Sequence, residues 1–269
     1  MTENAPPAGG EGALLSSLDG GLLRLTLNRP AQANALDLPL VDKLTAALEA
    51  AGGDRAVRAI VITGAGHAFC AGADLAAMAG IMEKPGGMDR VMGRLNHLIQ
   101  TLADCPKPVV ARVAGACAGG GLGLALACDF VVAEADATFT TAFARIGMAL
   151  DCGTSHALPR LVGPVQARRL AYLADRIDGT AAASLGLILE AVPADRLDAT
   201  VDALARRLAA GPTLAIAASK SLLNQAATAT LSDQLTAEAG HVARQMATAD
   251  ARIGVTAFLS RSQPAFTGE

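Results

Sequence analysis

Apolar and polar residues alternate through residues 21–30, GLLRLTLNRP, and the run ends at a proline, which predicts a strand and a turn. Residues 38–53, LPLVDKLTAALEAAGG, change to helical spacing. Asp37 is placed to cap that helix, Pro39 falls in the tolerated first turn, and Gly52-Gly53 closes it. The near-continuous apolar run VRAIVITGAG at 57–66 has the length of a strand buried on both faces. Val91, Leu95, Leu98, Ile99 and Leu102 share one face of a helix over 91–105. PKPVVARVAGAC (106–117) reads as a further strand, and FVVAEADATF (130–139) as one or two more.

From about residue 164 the pattern becomes Ala-rich and helical in period, interrupted by one strand, LILEAVP, at 187–193. Leu231, Leu235, Val242 and Met246 form a stripe, with Thr230 and Asp233 as a capping pair at its start. The pattern divides the chain into a tail at 1–12 expected to be disordered, an α/β core at 13–193, and a helical segment at 194–269 expected to mediate oligomerisation. That segment offers more apolar faces than it can bury by itself.

Two stretches break the periodicities. CAGGGLGLALACD (117–129) sets three glycines where a helix begins, although glycine costs about 1 kcal/mol against alanine inside a helix. ITGAGHAFCAGADL (62–75) is likewise strand, glycine-rich turn and helix start. Such a turn leaves backbone amides without helical acceptors and lets a ligand oxygen approach them. The alternative is a tight strand–helix crossing without a ligand. Neither the dinucleotide fingerprint nor the phosphate-binding loop fits, since the third glycine of the one and the Gly-Lys-Ser/Thr of the other are absent. Two such turns could converge amides on a single oxygen. Asp74 reads as the cap of the second helix.

Composition narrows the function classes. Apolar residues make up 52% of the chain, yet no window reaches the roughly 18 uninterrupted apolar residues of a membrane span. A net charge of −3, no Trp and a single Tyr argue against a nucleic-acid surface. Five widely spaced cysteines without a CxxC motif point to buried free thiols, not to a disulfide framework or a zinc site. A cytoplasmic enzyme with buried free thiols is expected.

RPAQANALD, ITGAGHAFCAGADL, AGACAGGGLGLALACD, IGMALDCGTSHALPRLVG and GVTAFLSRSQPAFTGE together resemble the enoyl-CoA hydratase/isomerase, or crotonase, superfamily. The resemblance runs from about residue 13 to the end. It implies an α/β fold, a spiral of ββα turns followed by a helical trimerisation segment, assembled as a homo-oligomer, a trimer or a dimer of trimers. It implies an acyl-CoA thioester as substrate, with coenzyme A part of the substrate and no metal or redox cofactor, and places the oxyanion donors on the amides of Ala73 and Gly120. Around them it places Ala31 and Ala33 near the pantetheine, Ala71 and Leu75 near the adenine, Phe258 at the acyl pocket and Arg261 near the nucleotide phosphates. For Phe258 and Arg261 the alternative is ordinary helix core and surface.

The chain departs from the hydratases it resembles. The two positions that hold glutamates in those enzymes are Gly123 and Phe143 here. Adding water needs a group that activates it and delivers a proton, which neither residue provides. One carboxylate remains, Asp151, in IGMALDCGTSH. By itself it reads as a helix cap. By resemblance it is the acid/base of an isomerase that shifts a double bond or rearranges a ring epoxide through a thioester enolate, and the FTG near the end matches the same isomerases. A hydratase of low activity and a catalytically silent acyl-CoA-binding protein are the alternatives. Asp129 lies roughly 12 Å along the helix from Gly120 and reads as structural, while His156 is a weaker candidate for orienting the acyl group.

Overall fold

The computed structural model describes residues 12–269, so the expected tail, apart from residue 12, lies outside the described residues. The chain opens with an antiparallel hairpin, β1 (Leu14–Asp19) and β2 (Leu22–Leu27). Helix α1 (Leu38–Gly53) follows, with Asp37 accepting the Leu40 N–H at its start as the sequence predicts. Three pairs of strands come next: β3 (Ala59–Gly64) with β4 (Ala68–Cys70), β5 (Val109–Val113) with β6 (Ala116–Ala118), and β7 (Phe130–Glu134) with β8 (Thr138–Thr140). Helices α2 (Leu75–Met82) and α3 (Gly87–Asp104) separate the first two pairs, and α4 (Gly120–Leu126) the second and third. The chain continues through α5 (Thr154–Leu173), β9 (Ile177–Asp178), α6 (Gly179–Ser184) and β10 (Glu190–Val192). Four helices complete it: α7 (Ala194–Ala209), α8 (Thr213–Ala226), α9 (Leu231–Gln245) and α10 (Ala249–Ser260).

Each strand pair splits between two sheets. The larger has the order β1-β2-β3-β5-β7-β10 and the smaller β4-β6-β8-β9. From β2 to β10 the larger sheet is parallel throughout, so the chain advances one strand per turn as a spiral. This is the α/β spiral that the resemblance implies. The apolar stripe of α3 faces inward, with Val91, Leu95, Leu98 and Leu102 buried and Ile99 half-buried.

Helix α7 belongs to this core. Its Leu197, Val201, Ala205 and Ala209 pack on Leu22, Ala59, Val61, Val110 and Val132 from the second face of the large sheet. Each large apolar side chain buried there contributes about 1.5–3 kcal/mol. The helical segment whose apolar residues stay exposed therefore begins after α7, and Leu223, Leu231, Leu235, Val242, Met246, Phe258 and Leu259 are all open to solvent. Lys220 on α8 ties that segment to the core, donating to Asp129 at 2.9 Å and to the Leu102 carbonyl at 3.3 Å. Asp129 also accepts the Val109 N–H, so it is the structural carboxylate expected. The strand expected at 187–193 is confined to Glu190–Val192.

Candidate active site

The two glycine-rich turns meet. Strand β4 delivers residues 71–74 and β6 delivers residues 119–120, and because β4 and β6 pair in parallel, both turns leave the same end of the small sheet. Gly72 has φ +106°, and a β-carbon there would stand 3.3 Å from the Gly120 nitrogen. A β-carbon on Gly120 would stand 3.7 Å from the Ala73 nitrogen. The positive φ of Gly72 favours glycine there, and the two main chains lie in contact.

Hydrogen bonding engages some amides of the two turns and leaves others free. Ala71 N–H donates to Ala33, Asp74 N–H to Leu36 and Gly119 N–H to Thr140. Among the described residues the N–H groups of Ala73 and Gly120 have no protein acceptor. Two neighbouring free donors can hold one oxygen that carries developing negative charge.

The first turn is braced from outside. Asn34, fully buried with φ +56°, donates to the carbonyls of Ala65 and Ala68 and accepts the Arg29 N–H. Asp74 accepts the Ala77 N–H as the cap of α2, and also the Arg29 guanidinium. That backbone bond and then Arg29 hold its carboxyl below the usual carboxylate range.

Ala71, Ala73, Leu75, Gly120, Phe143 and Asp151, all expected at the site, line one cavity of about 220 Å³. Ala33 adjoins it through its bond to Ala71, and Ala31 lies two residues earlier on the exposed 3₁₀ turn Pro30–Gln32. Phe258 and Arg261 are not brought to this cavity. They sit at the end of α10, Phe258 with 82% of its surface exposed. His156 is also exposed and outside the lining.

Sequence reasoning missed the methionines. Met78 and Met82 from α2, Met88 and Met92 from α3, and Met148 line the cavity. The signal was present as two pairs spaced by four residues, but methionine at helical spacing also describes ordinary core. Flexible thioethers make an adaptable apolar wall.

Among the described residues Asp151 is the one ionisable side chain in that lining. It is not a helix cap. The residue preceding α5 is Gly153, and it is the Asp151 main-chain carbonyl, not its side chain, that accepts the Thr154 N–H and hydroxyl. Its Oδ1 is buried without a hydrogen-bond partner. Burial raises its pKa, with the Cys152 thiol working in the opposite direction. A carboxyl group raised in this way, with one oxygen left unpartnered, is suited to taking up and returning a proton.

All five cysteines are buried free thiols, as the sequence predicts. Among the described residues no group of His, Cys, Asp and Glu has the makings of a metal site, and no helix is long and apolar enough to cross a membrane.

The fold and the sequence have close relatives. A Rhodobacter capsulatus protein named "Probable enoyl-CoA hydratase" is 42% identical over 92% of this chain and 95% of its own. The 1,2-epoxyphenylacetyl-CoA isomerase of Escherichia coli is 38% identical over 95% of this chain and 98% of its own. The crystal structure of an enoyl-CoA hydratase from Polaromonas sp. JS666 superposes with a TM-score of 0.90 at 36% identity, covering 95% of this chain and all of that one (100%). The family model for enoyl-CoA hydratase/isomerase matches residues 18–269, and with two converging amides beside a buried carboxylate the conclusion is plain: the chain belongs to the enoyl-CoA hydratase/isomerase family.

Proposed function

We propose that this protein is an acyl-CoA isomerase in which Asp151 moves the proton. The Ala73 and Gly120 amides hold the thioester oxygen. Asp151, ionised, removes a proton from the carbon next to the thioester carbonyl, and the electron pair flows to that oxygen as an enolate. The protonated Asp151 then returns the proton two carbons farther along, so a 3,4 double bond becomes a 2,3 double bond with no net change in atoms or charge. A ring epoxide opens from the same enolate, and the likeness to the Escherichia coli epoxide isomerase supports that variant. No metal or redox cofactor enters either balance.

The observation that carries this reading is the unpartnered Oδ1 of Asp151, the one ionisable side chain in a lining that includes Ala73 and Gly120. Hydration would need a second group to activate water, and Gly123 and Phe143 supply none. The name of the Rhodobacter capsulatus relative favours the hydratase alternative. Parallel incubation with crotonyl-CoA and a 3-enoyl-CoA decides between them. Rapid hydration of the former would sink the isomerase reading, and binding without any turnover would favour a silent acyl-CoA-binding protein. The exposed apolar residues of α8–α10 support a trimer-based homo-oligomer, and the composition supports a cytoplasmic enzyme.

A further inference from the structure

We propose that Gly123 and Cys152 form an interlock that positions Asp151, with Cys152 the spacer between the Gly120 amide and the carboxyl group. The inference rests on the reading of Asp151 as the proton carrier. It starts from contacts that α4 could not make with any residue but glycine. A β-carbon on Gly123 would stand 2.4 Å from the Cys152 carbonyl oxygen and 2.5 Å from its β-carbon. On the next turn of the helix a β-carbon on Gly120 would stand 3.2 Å from the Cys152 sulfur. Residue 152 thus lies against the glycine face of α4, main chain at Gly123 and thiol at Gly120.

Cys152 has φ +48°, a left-handed conformation that costs a side-chain-bearing residue about 1–3 kcal/mol. Glycine would adopt it freely, as the neighbouring Gly153 does at φ +76°. The side chain that is kept there is buried, with only 3% of its surface exposed. On the other side, the fully buried Thr154 fixes the Asp151 carbonyl through two hydrogen bonds, at 3.0 Å and 2.8 Å. The main chain of residues 151–154 is therefore held from both directions, while the Asp151 carboxyl keeps an oxygen unpartnered. Cys152 is a positioning residue, setting how far that oxygen stands from the Gly120 amide.

The test compares kcat and KM on a 3-enoyl-CoA for Gly123→Ala, Cys152→Gly and Cys152→Ser, with Asp151→Asn in parallel. Gly123→Ala forces residue 152 away, and Cys152→Gly removes the spacer while suiting the backbone. Each is expected to lower kcat about 10²-fold, the scale of a misplaced reacting group, with KM unchanged. Cys152→Ser keeps the shape and is expected to retain most of kcat. Should Gly123→Ala fail to fold, Cys152→Gly carries the test without a clash. Wild-type kcat in Cys152→Gly, or a loss confined to KM, would overturn the interlock while an inactive Asp151→Asn leaves the reading of Asp151 standing. An active Asp151→Asn would overturn both.

Discussion

One guanidinium nitrogen of Arg29 lies 2.9 Å from Asp74 and 3.2 Å from Asp37, so a single cation joins the caps of α1 and α2. All three side chains are largely buried, at 14–18% exposure, which sets the pairs apart from the exposed ion pairs elsewhere on the surface. The cation holds the turn that presents Ala73.

Arg29→Met is therefore expected to destabilise the fold by about 2 kcal/mol, the scale of hydrogen bonds to charged groups. Asp74 has a lowered pKa in the folded state, so its contribution is present above the unfolded value and disappears as pH falls through the folded one. Without Arg29 the folded value moves toward the unfolded one, so that loss is smaller and is complete at higher pH. Thermal melts should show the gap between wild type and variant widest at neutral pH and narrowing as pH falls.

Asp151 carries the opposite sign. Its pKa is raised by burial, so the folded state binds a proton more readily than the unfolded chain. Its unfavourable contribution is present in full above the raised value and fades as pH falls toward 3.8, the ordinary value for the side chain. Asp151→Asn should melt at a higher temperature than the wild type at neutral pH while losing about 10²–10⁴-fold in isomerisation. The ascending limb of wild-type kcat/KM against pH should lie above 3.8. A lower melting temperature with activity intact would restore the capping role.

Gly120→Pro deletes one free N–H and is expected to reduce turnover by about 10²–10³-fold, the scale for one oxyanion donor. Circular dichroism separates this from a disrupted turn. A structure with bound acyl-CoA whose thioester oxygen points away from Ala73 and Gly120 would refute the assignment.

Burial pushes the Cys70 thiol up to about 12, and Cys105, Cys117, Cys128 and Cys152 are raised by burial as well. The reactive thiolate is scarce at neutral pH. A disulfide reagent should titrate almost no thiol in the native protein and all five after denaturation. A fast-reacting native thiol would contradict the packing.

Leu235 and Val242 lie exposed on α9, a helix with no buried residue in the isolated chain. Light scattering at micromolar concentration should report a trimer or a multiple of it, and Leu235→Glu with Val242→Glu should shift the mass toward monomer. A wild-type monomer would count against the proposed assembly.

The sequence was most legible where local chemistry and tertiary packing agree. Asp37 and Pro39 fix the start of α1, and Gly53 is its last residue. Thr230 caps α9 by accepting the Asp233 N–H. Strand β1 escaped notice because LLSSLD is mostly exposed and exists through its pairing with β2. Helix α7 read as part of an oligomerisation segment because a helical stripe has the same period whether its own sheet or another chain covers it. At the site, residue types in the two glycine turns pointed to the amides. The geometry of Asp151 was hidden, since it depends on a left-handed Cys152 that no propensity favours.

The donors proposed at Ala73 and Gly120 belong to the main chain, and this shapes how the protein can change over generations. A point mutation alters what hangs from the backbone. Only a change to proline removes an N–H. The two donors are thus shielded from substitutions that leave Gly72 and Gly120 in place, whereas the cavity wall of Met78, Met82, Met88, Met92 and Met148 is fully open to change. Descendants of this chain can reshape that wall quickly while keeping the two N–H groups unchanged.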